Sequence, residues 1–595
     1  MRFRNLKKWK NLADCELLLY CAQLIEELLF DFSLDTYKPS AMNTSLLCVE
    51  ALNTIIDIEK GIIDKNNLEH IVVELVSNLR RDLVAKSLVS TDIEQAIKLL
   101  SNKEIKITEK KVVLELLYSE IKLPKYKKEN ETLLSTALKN NSGKNEVRGL
   151  VRSYITTLKN YGFSSKHLMD KSLDYFYYGS ENVIENNHDI DQYMELFGAD
   201  NKEYFSILKA SKLFSEISSS CQKLDIFVDV EDEKYQAPIK NGGLSPKDED
   251  QIYVIVENIK AKDQFSARER SEERIDLMST LLTLYHHKEH PKWDSECLVV
   301  EKEKGLCSKV GAPMNPMHRC IDLKPEKASK RVNAMINSFS LNGGSFRKFS
   351  RSSELHSLAL NSDSKENQII NLWIALESLI PESAEKSKIS NLTDCVMPFL
   401  NIAYLERILK RFVADIYNWR KGALNKHLKD ISGGNLQVKV AKLLVLEEYK
   451  DKREALFNDF GDFVLLRNRA YYLGTLLKNG KSMAKMLQSH DERVRWQIRR
   501  IYRTRNKIVH TGVTPSYTSI LIENLHDYLD VIMSTLVNIA SDGVKINTLE
   551  QGFKYVELQY QSYFDRLKSS KSEIFSEEEI SSNLFIERSL TRPSI

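Results

Sequence analysis

The chain has 595 residues, 42% of them hydrophobic and 28% charged, with a formal net charge of +3. That length exceeds what one hydrophobic core organises and implies about two to four domains. The composition excludes a disordered chain, and the near balance of charge means that any affinity for nucleic acid must come from local patches.

The basic start MRFRNLKKWK leads into ELLLYCAQLIEELLFDF, which Gln23, Glu26 and Glu27 interrupt. It reads as an amphipathic helix, not as a signal peptide or membrane span. No later stretch approaches ~18 uncharged residues, so a cytoplasmic protein without a membrane partner is expected. The eight cysteines contain no C-x2-C pair, and disulfides are not expected in that setting. Cys297, Cys307, His318 and Cys320, with His286, His287 and His290 upstream, match no zinc-binding spacing. Buried thiols and exposed histidines are the simpler reading; neither a metal nor a cofactor is expected.

The first third reads as successive helices. Residues 17–32, 46–58, 68–83 and 93–100 carry apolar side chains at three- and four-residue steps, and 112–117 and 133–138 continue the pattern around a Lys-rich turn, PKYKKENE. No acid–base constellation stands out in this helical region (1–200), and a sensing or regulatory role falls to it by elimination. In the middle (201–325), residues 224–230 alternate and are β-branched, which predicts a strand. A Pro/Gly-rich charged loop (236–250), a second strand (252–259), a helix (ARERSEERIDLMSTLLTLYHH) and a third strand at 297–300 follow. The order predicts a small α/β or α+β module. It contains neither G-x-G-x-x-G nor a Walker-type loop, which disfavours a nucleotide-driven motor, and Asp263 and Asp276 read as surface acids rather than metal carboxylates.

From residue 341 onward the chain is helical again, with helices predicted at 366–380, 403–419, 436–449, 460–477, 491–510 and 516–540. Arg407, Lys410 and Arg411 make a basic strip that either flanks an RNA groove or is a solvated helix face. The sequence DERVRWQIRRIYRTRNKIVHTG (491–512) dominates this part. Arg493, Arg495, Arg499, Arg500, Arg503, Arg505 and Lys507 place seven cations in fifteen residues, while Val494, Ile498, Ile501, Tyr502 and Ile508 form an apolar stripe. Asp491 is the predicted N-cap, and Gly512 with Pro515 the stop. So much arginine repels itself unless phosphate or carboxylate answers it.

Arg505, Asn506 and His510 fall within about a turn and a half, Asn506 and His510 sharing a face ~40° apart and Arg505 lying ~140° from His510. An imidazole moves protons near neutrality, a guanidinium holds a phosphate and answers growing charge, and an amide orients either group. These are the parts for cutting RNA without a metal. A surface helix whose arginines pair with acids is the plain alternative. Spacing does not decide, since Arg351/His356 repeats the Arg-x4-His interval and Arg420/His427 varies it. The amide after Arg505, the long helix before it and the Thr-Gly stop after it set this copy apart.

The run RIYRTRNKIVHTG resembles the signature segment of HEPN domains (higher eukaryote and prokaryote nucleotide-binding), whose ribonuclease members carry Arg-polar-x3-His, and most of all the Apea-like HEPN group of bacterial anti-phage defence. NLWIALESLIP (371–381), with Trp373, Ala375, Leu376, Glu377 and Leu379, is similar to that group's first helix. The resemblance spans roughly 345–542 and implies a mostly α, multidomain protein whose residues 340–545 form a HEPN helical bundle, with 546–595 a C-terminal helix and tail. It implies a homodimer joining two Arg505/Asn506/His510 sets, and metal-independent endonucleolytic cleavage of RNA by 2′-OH attack. His510 is then acid or base, Arg505 the phosphate clamp and Asn506 the orienter. Arg499, Arg500, Arg503 and Lys507 contact the RNA backbone or a dimer face, and Glu377 orients His510 or pairs with Arg505. Abortive infection triggered by a phage-derived cue is the implied role. A non-catalytic HEPN adaptor that binds RNA or a protein is the alternative.

Overall fold

A computed structural model describes residues 1–30, 37–90, 92–180, 182–318, 323–385, 387–541 and 546–585. The chain is mostly helical, with one small antiparallel sheet in the middle. No helix among the described residues is long and apolar enough to cross a membrane.

The first third packs the helices Glu16–Leu29, Thr44–Glu59, Asn66–Leu79, Leu83–Leu88, Ile93–Ser101, Ile107–Glu120, Leu123–Lys139, Lys144–Asn160 and Ser165–Leu173 around one apolar core. The expected end of the first helix at Phe32 lies outside the described residues. The expected Lys-rich turn is a correction: PKYKKENE occupies the opening turns of Leu123–Lys139. Pro124 stands where the missing N–H has no helical partner to lose, and Tyr126, Lys127 and Asn130 turn inward. Lys125 and Lys128 mark the outer face of a helix, not a break. Val464 and Leu465, from far along the chain, complete this core. Gln23 fastens them, its amide donating to the Asp462 carbonyl (2.8 Å) and accepting from the Leu465 N–H (2.9 Å).

The middle sheet comprises β1 (Lys202–Ser211), β2 (Ile226–Val228), β3 (Gln251–Ala261), β4 (Trp293–Glu301) and β5 (Leu306–Val310), in the order β2-β3-β1-β4-β5. Every pairing is antiparallel, so the module is α+β. Its centre, β1, is buried along most of its length and shows no polar alternation, which is why periodicity misses it. Helix Glu233–Asn241 fills part of the expected loop, and helix Gln264–Thr283 packs on the sheet. Asp263 caps the latter, accepting from the N–H groups of Phe265 and Ser266 (both 2.9 Å), and also accepts from the Ser164 N–H (2.8 Å), joining the module to the first third.

The last part has two cores, both crossed by one helix, Gly480–Thr511. It begins eleven residues before the expected N-cap Asp491, because Met483, Ala484 and Leu487 extend the apolar stripe backward. Asn479 caps it instead, accepting from the Ser482 N–H at 2.9 Å, while Asp491 sits inside and accepts from Arg495 Nε at 2.6 Å. Gly480 lets the helix start against another backbone: a Cβ there would lie 2.2 Å from the Leu567 carbonyl oxygen. The front half packs with Tyr404–Leu428, Leu436–Val445, Lys450–Asp459 and Val464–Leu477. The rear half packs with Gly343–Leu360, Lys365–Leu379, Lys388–Ile402 and Thr518–Ser541. Helix Leu549–Ser569 contributes to both cores, and Glu577–Leu584 to the first.

Candidate active site

The motif closes the long helix. Val494, Ile498, Ile501 and Ile508 anchor its inner side in the rear core, and Trp373 packs 5.6 Å from Tyr502. Gly512, at φ 67°, turns the chain out and returns its N–H to the Ile508 carbonyl (2.9 Å), a left-handed stop open to glycine at no cost. The following loop is tied back by Thr514, whose hydroxyl donates to Glu366 in the first turn of Lys365–Leu379. Although burial raises the Glu366 carboxyl, its hydrogen bonds and Lys365 bring it below the ordinary value.

Arg499, Asn506 and His510 recur at steps of seven and four, so they share one stripe, with Asn506 and His510 ~6 Å apart along the axis. Asn506 is 7% exposed, and His510 stands in solvent beside the exposed Val509, Thr511 and Val513. Arg505 starts from the apolar side but reaches round the helix: its Nη1 donates to Asn506 Oδ1 at 3.0 Å. Arg505 and Asn506 are therefore in contact, and His510 lies one turn further toward solvent. Arg505 Nε is buried without a hydrogen-bond partner, as is Arg499 Nε. Glu377 is exposed and, among the described residues, makes no ion pair with Arg505 or His510.

The cations divide. Arg500 and Arg503, expected against RNA or a dimer partner, are only 2% and 5% exposed within this chain. They are answered from the first third: Arg500 donates to Glu50 (3.0 Å) and Glu74 (2.6 Å), and Arg503 to Glu50 (2.7 Å). Lys507 lies 4.0 Å from Asp57, a further two turns along Thr44–Glu59 from Glu50, and Arg495 pairs with Asp491 and Asp394. Arg499 and the exposed Arg493 make no ion pair among the described residues. Burial lowers Arg499, and Arg495 and Arg503 lower it further, against the weaker opposing pull of the Asp394 carboxylate. Burial works against ionisation of Glu50, but Arg500 and Arg503 outweigh it and hold the carboxyl at about 2. Glu74 moves the other way, raised by burial and by its neighbour Glu50. His70, on the same helix as Glu74, is lowered to about 4 by burial and then by Arg499 and Arg503.

The two look-alike spacings have separate explanations. Arg351 pairs with Glu354 on its own helix. Arg420 lies over the Trp419 ring at a kink, and the buried His427 meets Asp459 at 2.7 Å. In the second basic strip, Lys410 pairs with Glu406 (2.6 Å), and Arg407 and Arg411 lie 3.7 Å from Asp527 and Asp415. Asp263, expected at the surface, is instead a helix cap only 1% exposed, buried because its carboxylate accepts from the N–H groups of Ser164, Phe265 and Ser266; the Asp276 carboxyl is raised by burial. Cys297 is buried and Cys307 exposed, while Cys320 lies outside the described residues. Glu50, Asp57 and Glu74 were the site-facing residues that sequence reasoning missed. The one signal was their placement in otherwise apolar helices, and nothing local points to partners some 430–450 positions away.

No family model, curated protein or solved structure matches the chain.

Proposed function

We propose that the chain is a metal-independent endoribonuclease of the HEPN type. The observation that carries this reading is the motif end of the long helix. A buried amide is held by Arg505, and the exposed imidazole of His510 stands one turn beyond on the same stripe. In the proposed reaction a ribose 2′-oxygen bonds to the adjacent phosphorus and the bond from phosphorus to O5′ breaks. The products are a 2′,3′-cyclic phosphate and a 5′-OH end. His510 takes the 2′ proton or supplies the proton to the leaving O5′. Arg505 stabilises the charge that grows on the phosphoryl oxygens, and Asn506 fixes the guanidinium. Arg499, which makes no ion pair among the described residues and shares the stripe of Asn506 and His510, is the proposed backbone contact for RNA.

One His510 serves one proton transfer at a time, so a homodimer with two facing motifs supplies acid and base together. Val509 and Val513, 49% and 51% exposed beside His510, are the apolar surface such a pairing would cover. The biological reading is cytoplasmic anti-phage defence by abortive infection, with the first third restraining the motif helix through Glu50 and Glu74 until a phage-derived cue arrives.

Purified protein incubated with total RNA, beside His510→Ala, tests the chemistry. Cleavage that persists in EDTA and is lost in the variant supports the reading. Cleavage that needs Mg2+ and ignores the variant removes it. Phage plating on cells carrying the parent or Arg505→Ala tests the defence role, and equal plating removes that part alone.

A further inference from the structure

Helix Thr518–Ser541 carries His526 and Asp530 at a spacing of four, on one face, and helix Gly343–Leu360 presents His356 to the same point. His356 Nε2 lies 3.6 Å from Asp530 Oδ1, and His526 Nε2 lies 3.7 Å from Asp530 Oδ2. One ligand atom from each residue falls within 4.8 Å of the others, and the two imidazole rings are 5.0 Å apart. No other such group of His, Cys, Asp or Glu occurs among the described residues.

These separations are too long for hydrogen bonds, whose heavy atoms stand about 2.7–3.2 Å apart. They suit two donors on one ion: ligands held ~2.0–2.1 Å from a tetrahedral centre are about 3.3–3.4 Å from each other, a few tenths of an ångström less than here. His356 Nε2 is buried and has no hydrogen-bond partner. Two imidazoles face one carboxylate, and one ring nitrogen, His356 Nε2, is left unsatisfied.

We propose that His356, His526 and Asp530 bind one divalent first-row transition-metal ion, Zn2+ as the first candidate, and that the ion clips helix Gly343–Leu360 to helix Thr518–Ser541. Two imidazole nitrogens and one carboxylate are ligands that Zn2+ accepts, with a fourth position left to water. The clip contradicts the sequence expectation of no metal, and it does not depend on the proposed cleavage, whose residues are elsewhere. In the sequence His356 belongs only to a repeated Arg-x4-His interval. Its partners, 170 and 174 positions later, are joined to it by the fold.

The test uses the full chain stripped with a chelator and titrated with Zn2+ in a calorimeter, then with Co2+ under visible absorption. One ion per chain, ligand-field bands without thiolate-to-cobalt charge transfer, and a melting temperature that rises with Zn2+ are expected. The absence of charge transfer separates this site from the cysteines. His356→Gln, which preserves volume at a partly exposed position, and Asp530→Asn should each weaken binding by more than the roughly 10–100-fold that loss of an orienting partner costs. Circular dichroism confirms that they fold. His286→Ala should leave binding unchanged. Absence of Zn2+ binding by the parent, or parental affinity in both folded variants, overturns the proposal.

Discussion

Replacing Glu50 with alanine tests whether the first third grips the motif helix. Glu50 is the carboxylate partner of Arg503 and one of two for Arg500, and both guanidinium groups are almost completely enclosed. Removing one member of a buried ion pair costs about 3–5 kcal/mol, because the other charge is left desolvated. Arg500 keeps Glu74 at 2.6 Å, so the lower end applies, about 3 kcal/mol. At about 1.4 kcal/mol per factor of ten, the opening equilibrium of this interface rises by roughly a hundredfold or more. A chain with several cores does not unfold in one step, so the assay is hydrogen exchange resolved by peptide. Amides of helices Thr44–Glu59 and Asn66–Leu79 should exchange faster by that factor, while those of the middle sheet do not change. Pairing Glu50→Ala with Arg503→Ala should recover at least about 1 kcal/mol of the loss, since neighbouring charges couple. Exchange altered by less than tenfold, or strictly additive losses, would refute the claim that these charges hold the two parts together.

Acid should open the same interface. Glu50, held at about 2, contributes stability that is complete above its ordinary value of 4.5 and fades as pH falls through about 2. His70, lowered to about 4, adds stability that is complete above 6.5 and fades between 6.5 and 4. The raised Glu74 opposes both trends, its penalty easing as it protonates. Protection across this face, measured from pH 7 to 3 relative to the intrinsic exchange rate at each pH, should therefore fall in two stages, and His70→Gln should flatten the upper one. Arg505→Lys keeps the charge but loses the planar fork, and cleavage should fall roughly 100–1000-fold with little change in melting temperature. Gly480→Ala should lower thermal stability, because the added methyl meets the Leu567 carbonyl; overpacking of this kind costs typically about 1–3 kcal/mol. A melting curve identical to the parent's would contradict that packing.

Much of the helical plan was legible because amphipathic stripes repeat at a helical period, and Lys365–Leu379 was placed within a residue at each end. The errors have physical causes. PKYKKENE resembled a turn since charge and proline occur both in turns and on the outer first turns of helices. β1 was invisible because a strand covered on both faces loses its alternation. At the site, the stripe shared by Asn506 and His510 follows from the spacing alone, and the Arg505–Asn506 hydrogen bond needed only a side chain long enough to swing. What the spacing could not show was which arginines were already neutralised. Arg499 and Arg500 are adjacent in sequence, yet one makes no ion pair among the described residues and the other is locked between two carboxylates. That difference comes from helices more than 400 positions earlier, and no local pattern encodes it.

Metal-independent cleavage by the 2′-oxygen is tested most directly by the chemistry of the ends made from a defined RNA oligonucleotide. The parent protein should leave a 2′,3′-cyclic phosphate on one fragment and a 5′-OH on the other and should not cleave the same oligonucleotide with 2′-deoxy sugars, and His510→Ala should give no product. Products bearing 5′-phosphate, cleavage of the deoxy oligonucleotide, or full activity in the His510 variant would contradict it.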